Sequence, residues 1–267
     1  MELRTILAGL DQSPAAADAF RIATRLATGA HAALATVTVV ENPHHWIERG
    51  EPATLGVVTA RVRERLKAPG DHIVRVGAPG VELARAAELL GADLLVLGFN
   101  RRVGTTLEGT LRRSQVPCLV TPSGVPAFRR VCAAVDGGPA SAIVLAAALA
   151  VADHNVSDVI IFHAERVPSA ADAGLPRRDT MRHVEALTEA VHAAWSRDRA
   201  ARAVAGCEVI VRQGDPVVEI LKIVREEHVD LLVVGACRGA AAGGNAARSI
   251  ATRLLERARS AMLTVPV

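Results

Sequence analysis

The chain is written twice, and this duplication decides what it can fold into. The opening Ile6-Leu7-Ala8-Gly9-Leu10-Asp11-Gln12-Ser13-Pro14-Ala15 recurs as Val131-Cys132-Ala133-Ala134-Val135-Asp136-Gly137-Gly138-Pro139-Ala140, so Asp11 and Asp136 stand 125 positions apart. Thr38-Val39-Val40-Glu41 keeps that spacing to His163-Ala164-Glu165-Arg166. Arg75-Val76-Gly77-Ala78-Pro79 with Glu82 matches Arg212-Gln213-Gly214-Asp215-Pro216 with Glu219. Asp93-Leu94-Leu95-Val96-Leu97-Gly98 matches Asp230-Leu231-Leu232-Val233-Val234-Gly235, where Gly98 and Gly235 lie 137 apart. Near each end, Pro117-Cys118-Leu119-Val120 aligns with Ala261-Met262-Leu263-Thr264, at 144 from Pro117 to Ala261. The offset therefore grows by 12 and then by 7, which makes repeat two longer around its second helix and in its glycine loop. Pro122-Ser123-Gly124-Val125-Pro126 punctuates the join and predicts domains over 1–125 and 126–267.

Each copy alternates short apolar runs with helical stretches. Thr5–Leu10, Ala33–Val40, His72–Val76, Leu94–Leu97 and Cys118–Val120 read as buried parallel strands. Ser13 suits a helix N-cap with Pro14 at the first position and Gly29 at the end, and Val81–Leu90 carries helical spacing closed by Gly91. At 267 residues, two domains of ordinary size are expected. Hydrophobic residues make up 50% but aromatics only 2%, so the cores must be aliphatic, as in α/β sheets covered on both faces. The β-α-β-α-β-α-β-α-β order winds through right-handed crossovers into an open five-stranded parallel sheet with helices on both faces, once per copy. This predicts two sheets rather than one continuous sheet, with Asp136 close to Gly235.

Composition narrows the function classes. A formal net charge of +3, spread along the chain and carried almost wholly by Arg, does not call for nucleic acid. Cys118, Cys132, Cys207 and Cys237 have no metal-binding spacing and read as reduced thiols. Met1–Thr5 leads into a strand-like run rather than a signal peptide, and the longest apolar string, Ile143–Ala152, is far short of the ~20 residues that span a bilayer. A cytoplasmic protein without membrane partners is expected. The chain has no Gly-x-Gly-x-x-Gly fingerprint, no Walker lysine and no nucleophile elbow around Ser13, Ser114, Ser249 or Ser260. His44-His45-Trp46 reads as a polar loop rather than a metal site. Arg177, Arg178, Arg182, Arg197, Arg199 and Arg202 around Trp195 read as a solvated helical face.

In doubly wound sheets, ligands sit beyond the carboxyl ends of the strands, beside the switch in strand order. Asp11 and Asp136 end the first strands, so each faces a crevice with the glycine that follows the fourth strand. Each aspartate can turn the strand–helix junction, hold a ligand, or do both.

These motifs together resemble the universal stress protein family over essentially the whole chain, twice. The shared features are the first-strand Asp turn, the Gly-x-Pro before an acidic helix, the Asp-Leu-Leu-Val-x-Gly strand and the terminal Pro-Cys-type strand. The resemblance implies Rossmann-like domains of the adenine nucleotide alpha hydrolase-like kind. In some members the pocket binds ATP through the first-strand Asp, the backbone after the second strand, and a Gly-x2-Gly-x9-Gly-Ser/Thr loop. It also implies that the last strand pairs antiparallel with a second domain, as an internal pseudo-dimer here or as a homodimer.

Both copies depart from that loop. In repeat one, six positions separate Gly98 from Gly104, with Thr105 in the Ser/Thr position, where the family motif has thirteen. Repeat two keeps thirteen from Gly235 to Arg248, followed by Ser249, but Arg238 and Arg248 replace the second and third glycines. Arginine breaks a backbone nest for phosphate, although Gly239, Gly243 and Gly244 can supply turns and a guanidinium can itself clamp phosphate. By resemblance, repeat two holds its ligand through Asp136, the main chain at Ala164, Gly235, Arg238, Gly239, Arg248 and Ser249. The repeat-one counterparts are Asp11, Val39, Gly98, Gly104 and Thr105. Three functions stay open: a stress-response binding or regulatory protein holding ATP or another adenine nucleotide and acting on a protein partner, a nucleotide-independent scaffold, and a slow ATP hydrolase.

Overall fold

A computed structural model describes residues 2–47, 53–66, 71–100, 103–125, 127–138, 140–155, 157–165, 207–236 and 250–267. Repeat one runs β1 (Thr5–Gly9), α1 (Pro14–Ala30), β2 (Ala33–Val40), a 3-10 turn (Pro43–His45), α2 (Leu55–Leu66), β3 (His72–Val76), α3 (Pro79–Leu90), β4 (Leu94–Phe99), α4 (Thr105–Arg113) and β5 (Cys118–Pro122). Repeat two runs β6 (Arg130–Val135), α5 (Ser141–Asn155), β7 (Asp158–Glu165), β8 (Glu208–Gln213), α6 (Pro216–Glu226), β9 (Leu231–Ala236), α7 (Ile250–Leu255) and β10 (Ala261–Pro266).

Strand pairing reproduces the repeat offsets position by position. Leu7 lies beside Leu95 as Cys132 lies beside Leu232, and Thr5 lies beside Ala33 as Arg130 lies beside Asp158. Within each repeat all strands are parallel, in the order β3-β2-β1-β4-β5 and its counterpart β8-β7-β6-β9-β10. The switch in strand order falls between β1 and β4, and between β6 and β9.

The two five-stranded sheets form one continuous ten-stranded sheet, against the two separate sheets that the repeat predicts, through the antiparallel pairing of last strands that the resemblance implies. β5 and β10 join antiparallel, with Val120 beside Met262, Leu119 beside Leu263 and Cys118 beside Thr264. The Thr264 hydroxyl also donates to the Cys118 carbonyl across the join. Pairing satisfies backbone groups that two free strand edges would leave open. Because the join is antiparallel, the carboxyl ends of the two halves point to opposite edges of the sheet, and the crevices stay separate.

Helix α1 shows how local signals set these elements. Ser13 caps it, its hydroxyl accepting from the Ala16 N–H, and Pro14 opens the first turn. Its buried face is Ala15, Ala16, Ala19, Ile22, Ala23, Leu26 and Ala27. Gly29 does not end the helix, contrary to expectation. The chain turns at His31, in the left-handed region at φ 53°, and the next residue, Ala32, donates to the Ala27 carbonyl. A stop at Gly29 would start β2 too early to keep Ala33 beside Thr5. Helix α3 does close at Gly91, at φ 62°, as expected.

The core crosses the repeat boundary on both faces. On one face Ile22 and Leu26 of α1 join Leu145 and Leu149 of α5. On the other, Leu83 and Leu107 join Ile220, Val224, Leu254 and Met262. Burial of this aliphatic surface, at roughly 25 cal/mol per Å2, holds the halves as one body.

Candidate functional site

Asp11 follows β1 and Asp136 follows β6, both at the carboxyl edge and both exposed. Asp11 Oδ1 accepts the Ser13 N–H at 2.7 Å. Asp136 Oδ1 accepts the Gly138 N–H at 2.8 Å and the Ser141 hydroxyl at 3.0 Å. Each aspartate therefore shapes the strand-to-helix turn through one oxygen.

A second duplicated device supports that turn. The Thr38 hydroxyl donates to the Leu10 carbonyl at 2.8 Å, and His163 Nδ1 lies 2.8 Å from the Val135 carbonyl. A carbonyl only accepts, so His163 Nδ1 carries its proton. Both side chains are buried. Thr38 and His163 share the 125-position offset, and so do Leu10 and Val135, but an offset alone gives no sign of a bond.

The register of β6 and β9 pairs Ala134 with Val234, so Val135 and Gly235 come next on neighbouring strands, with Asp136 at the mouth. This is the closeness expected of Asp136 and Gly235. Val39 lies beside Arg75 and Ala164 beside Arg212, and both Val39 and Ala164 are half-buried against the core. Gly104 caps α4 through its backbone alone, and Thr105 opens the helix, exposed. Arg238, Gly239, Arg248 and Ser249 lie outside the described residues, as do Cys237, Trp195 and the arginines around it.

The two fourth-strand glycines differ. A methyl group placed on Gly98 would stand 2.4 Å from the Ala15 carbonyl carbon and 2.5 Å from the Ala16 nitrogen. The backbone at the start of α1 sits on Gly98, leaving no room for a group between them. Among the described residues, the atoms nearest to a methyl group on Gly235 belong to the side chains of Val267 and Val144, at 3.4 and 3.5 Å. Helix α5 starts at Ser141, two positions later than α1 by the 125 offset, and its first turn does not press on β9 in this way.

The remaining motif residues are structural. Gly77 and Gly214 have φ of 147° and 154°, and Glu82 and Glu219 pack directly over them. Glu82 binds Arg75 at 2.9 Å, and Glu219 binds Lys222 at 2.7 Å. The Gly-x-Pro motif is thus a turn that admits a glutamate from the following helix. At the amino ends of each repeat's strands, Asp93 accepts the Arg4 and Thr5 N–H groups, and Asp230 those of Arg129 and Arg130.

Among the described residues, no group of three His, Cys, Asp or Glu is placed to hold a metal ion. His44 and His45 belong to an Asn42-capped turn, and the Arg65 guanidinium lies 5.6 Å from the centre of the Trp46 ring. Among the described residues, no helix is long and apolar enough to cross a membrane.

The universal stress protein family model matches residues 2–122 and again 127–266. A universal stress protein structure from Archaeoglobus fulgidus DSM 4304 aligns at 15% identity and TM-score 0.70, covering 100% of this chain and 99% of that one. A putative universal stress protein from Pseudomonas aeruginosa UCBPP-PA14 aligns at 14% identity and TM-score 0.66, covering 99% and 93%. No curated protein sequence matches the chain. At these identities the structural likeness speaks for fold, and the doubled family match for membership. The chain belongs to the universal stress protein family and carries the family unit twice, in tandem.

Proposed function

We propose that the protein is a stress-response binding or regulatory protein that holds one adenine nucleotide, ATP in the first instance, in repeat two and none in repeat one. The difference between Gly98 and Gly235 carries this reading. Gly98 is closed off by the backbone of Ala15 and Ala16, whereas the nearest atoms to a methyl group on Gly235 among the described residues are side-chain methyls at 3.4 to 3.5 Å. The spacing in the sequence acts in the same direction, since six positions separate Gly98 from Gly104 in repeat one but thirteen separate Gly235 from Arg248 in repeat two.

In this reading Asp136 meets the ribose or adenine side and the main chain at Ala164 meets the base. Gly235, Gly239 and Ser249 meet the phosphates, with Arg238 and Arg248 as clamps in place of the missing glycines. Asp11, Val39, Gly104 and Thr105 then shape an empty crevice. Bound nucleotide would bias contacts with a protein partner by its differential affinity for two states of the chain.

Mass spectrometry of ligand released from freshly purified protein tests the proposal. Adenine nucleotide at about one equivalent supports it. No nucleotide, together with no uptake of added ATP, would leave a scaffold. Turnover of ATP by the pure protein would make it an enzyme.

A further inference from the structure

Repeat one contains a buried polar pair with no counterpart in repeat two. Thr36 and His72 lie side by side on β2 and β3, with Thr36 Oγ1 2.7 Å from His72 Nδ1. Both are buried, and His72 Nε2 has no hydrogen-bond partner. The register places Ile161 beside Val209 at the equivalent position of repeat two, an apolar pair. β3 is the outermost strand of the sheet at this end.

We propose that His72 makes the outer edge of repeat one an acid-operated latch, closed while the imidazole is neutral and opened by its protonation. The neutral ring leaves Nε2 as one unbonded buried atom, a modest cost. Protonation places a charge and a second N–H in the same enclosed space, where an unpaired buried charge is far more costly. The charged groups nearby offer no relief. From α2, Arg63 faces the ring region and donates to the His72 carbonyl at 2.8 Å, adding a like charge. β2 offers the Thr36 hydroxyl, which already meets Nδ1, and the face α1 turns to the sheet is Ala19, Ile22, Ala23, Leu26 and Ala27. On its own strand Arg75 is held by Glu82, and Asp71 immediately precedes β3.

Burial, with Arg63 adding to it, holds the His72 imidazole below the ordinary histidine value of 6.5. A base whose folded value is lowered favours the open state as pH falls. Stability at this edge is complete above the unfolded value and is lost below it, until the folded value is reached. Opening releases β3 and the Gly77 turn, whose N–H is bonded to the Val40 carbonyl. It leaves the equivalent edge of repeat two closed. This inference does not depend on nucleotide binding.

Amide hydrogen exchange of the intact protein, corrected for intrinsic rates, tests it between pH 7.5 and 5. The opening constant of β3 amides, residues 72–76, should rise by up to about tenfold per pH unit below ~6.5, as uptake of one proton requires. β8 amides, residues 208–213, should stay level. A Thr36→Ile/His72→Val chain, which borrows the repeat-two pair, should abolish the rise. NMR titration of the wild-type His72 imidazole supplies a readout that needs no variant: it should titrate below the ordinary histidine value of 6.5. Equal change at β3 and β8, no change at β3, or a His72 titration at or above 6.5 would overturn the latch.

Discussion

Gly98 and Ala15 are in backbone contact: a methyl group on Gly98 would stand 2.4 Å from the Ala15 carbonyl carbon. The fourth strand of repeat one can approach its first helix this closely only because residue 98 has no side chain. The equivalent Gly235 has no such constraint. Gly98→Ala must therefore shift α1 or β4 and should destabilise the protein by about 2–3 kcal/mol, as overpacking against backbone does. Gly235→Ala should stay within about 1 kcal/mol. Urea unfolding of the two variants checks this, and equal losses would contradict it.

Asp93 and Asp230 each accept two backbone N–H groups at the amino ends of their own repeat's strands, bridging the start of one strand to its neighbour. Either Asp→Ala change should cost roughly 2–3 kcal/mol, since charge-assisted bonds to paired donors are lost. Ligand affinity should be unchanged, because each of these residues lies at the amino ends of its own repeat's strands, opposite that repeat's crevice. Thermal melts paired with ATP titration separate the two effects.

Thr38→Val removes the donor from the Leu10 carbonyl while keeping shape, and should cost about 1 kcal/mol. His163→Thr installs in repeat two the residue that repeat one uses, and should be milder than His163→Ala, which leaves the Val135 carbonyl without this donor. Denaturant midpoints of the three variants order these effects.

Burial pushes the Cys118 and Cys132 thiols up to about 12. At pH 8 their thiolate fraction is then on the order of one in ten thousand, and the thiolate is the reactive form. A short pulse of iodoacetamide on native protein should leave both unlabelled by peptide mapping, and the same pulse in denaturant should label both. Labelling of either thiol in the native state at the denatured rate would contradict their burial.

Most of the fold was legible because apolar runs and repeat offsets are local properties. Spacings of 125, 137 and 144 returned as strand registers, and Ser13, Pro14 and Gly91 acted as their chemistry requires. Gly29 was misread because glycine is the usual residue for a left-handed turn, while strand register made His31 adopt it. The repeat pattern alone does not show the fusion of the two sheets, because an apolar strand shows that its faces are buried, not which strand lies along its edge; the antiparallel pairing of the last strands is what the family resemblance implies. The sequence located Asp11, Asp136 and the fourth-strand glycines at the carboxyl ends of their strands. It showed neither the closure of Gly98 by the α1 backbone nor the Thr38 and His163 bonds, since both depend on distances between elements.

Calorimetric titration of ATP into nucleotide-free protein tests the central claim most directly. One equivalent should bind to the wild-type chain and to Asp11→Ala, and Asp136→Ala should abolish the binding heat. Two equivalents, or loss of binding in Asp11→Ala with retention in Asp136→Ala, would contradict the assignment of the nucleotide to repeat two.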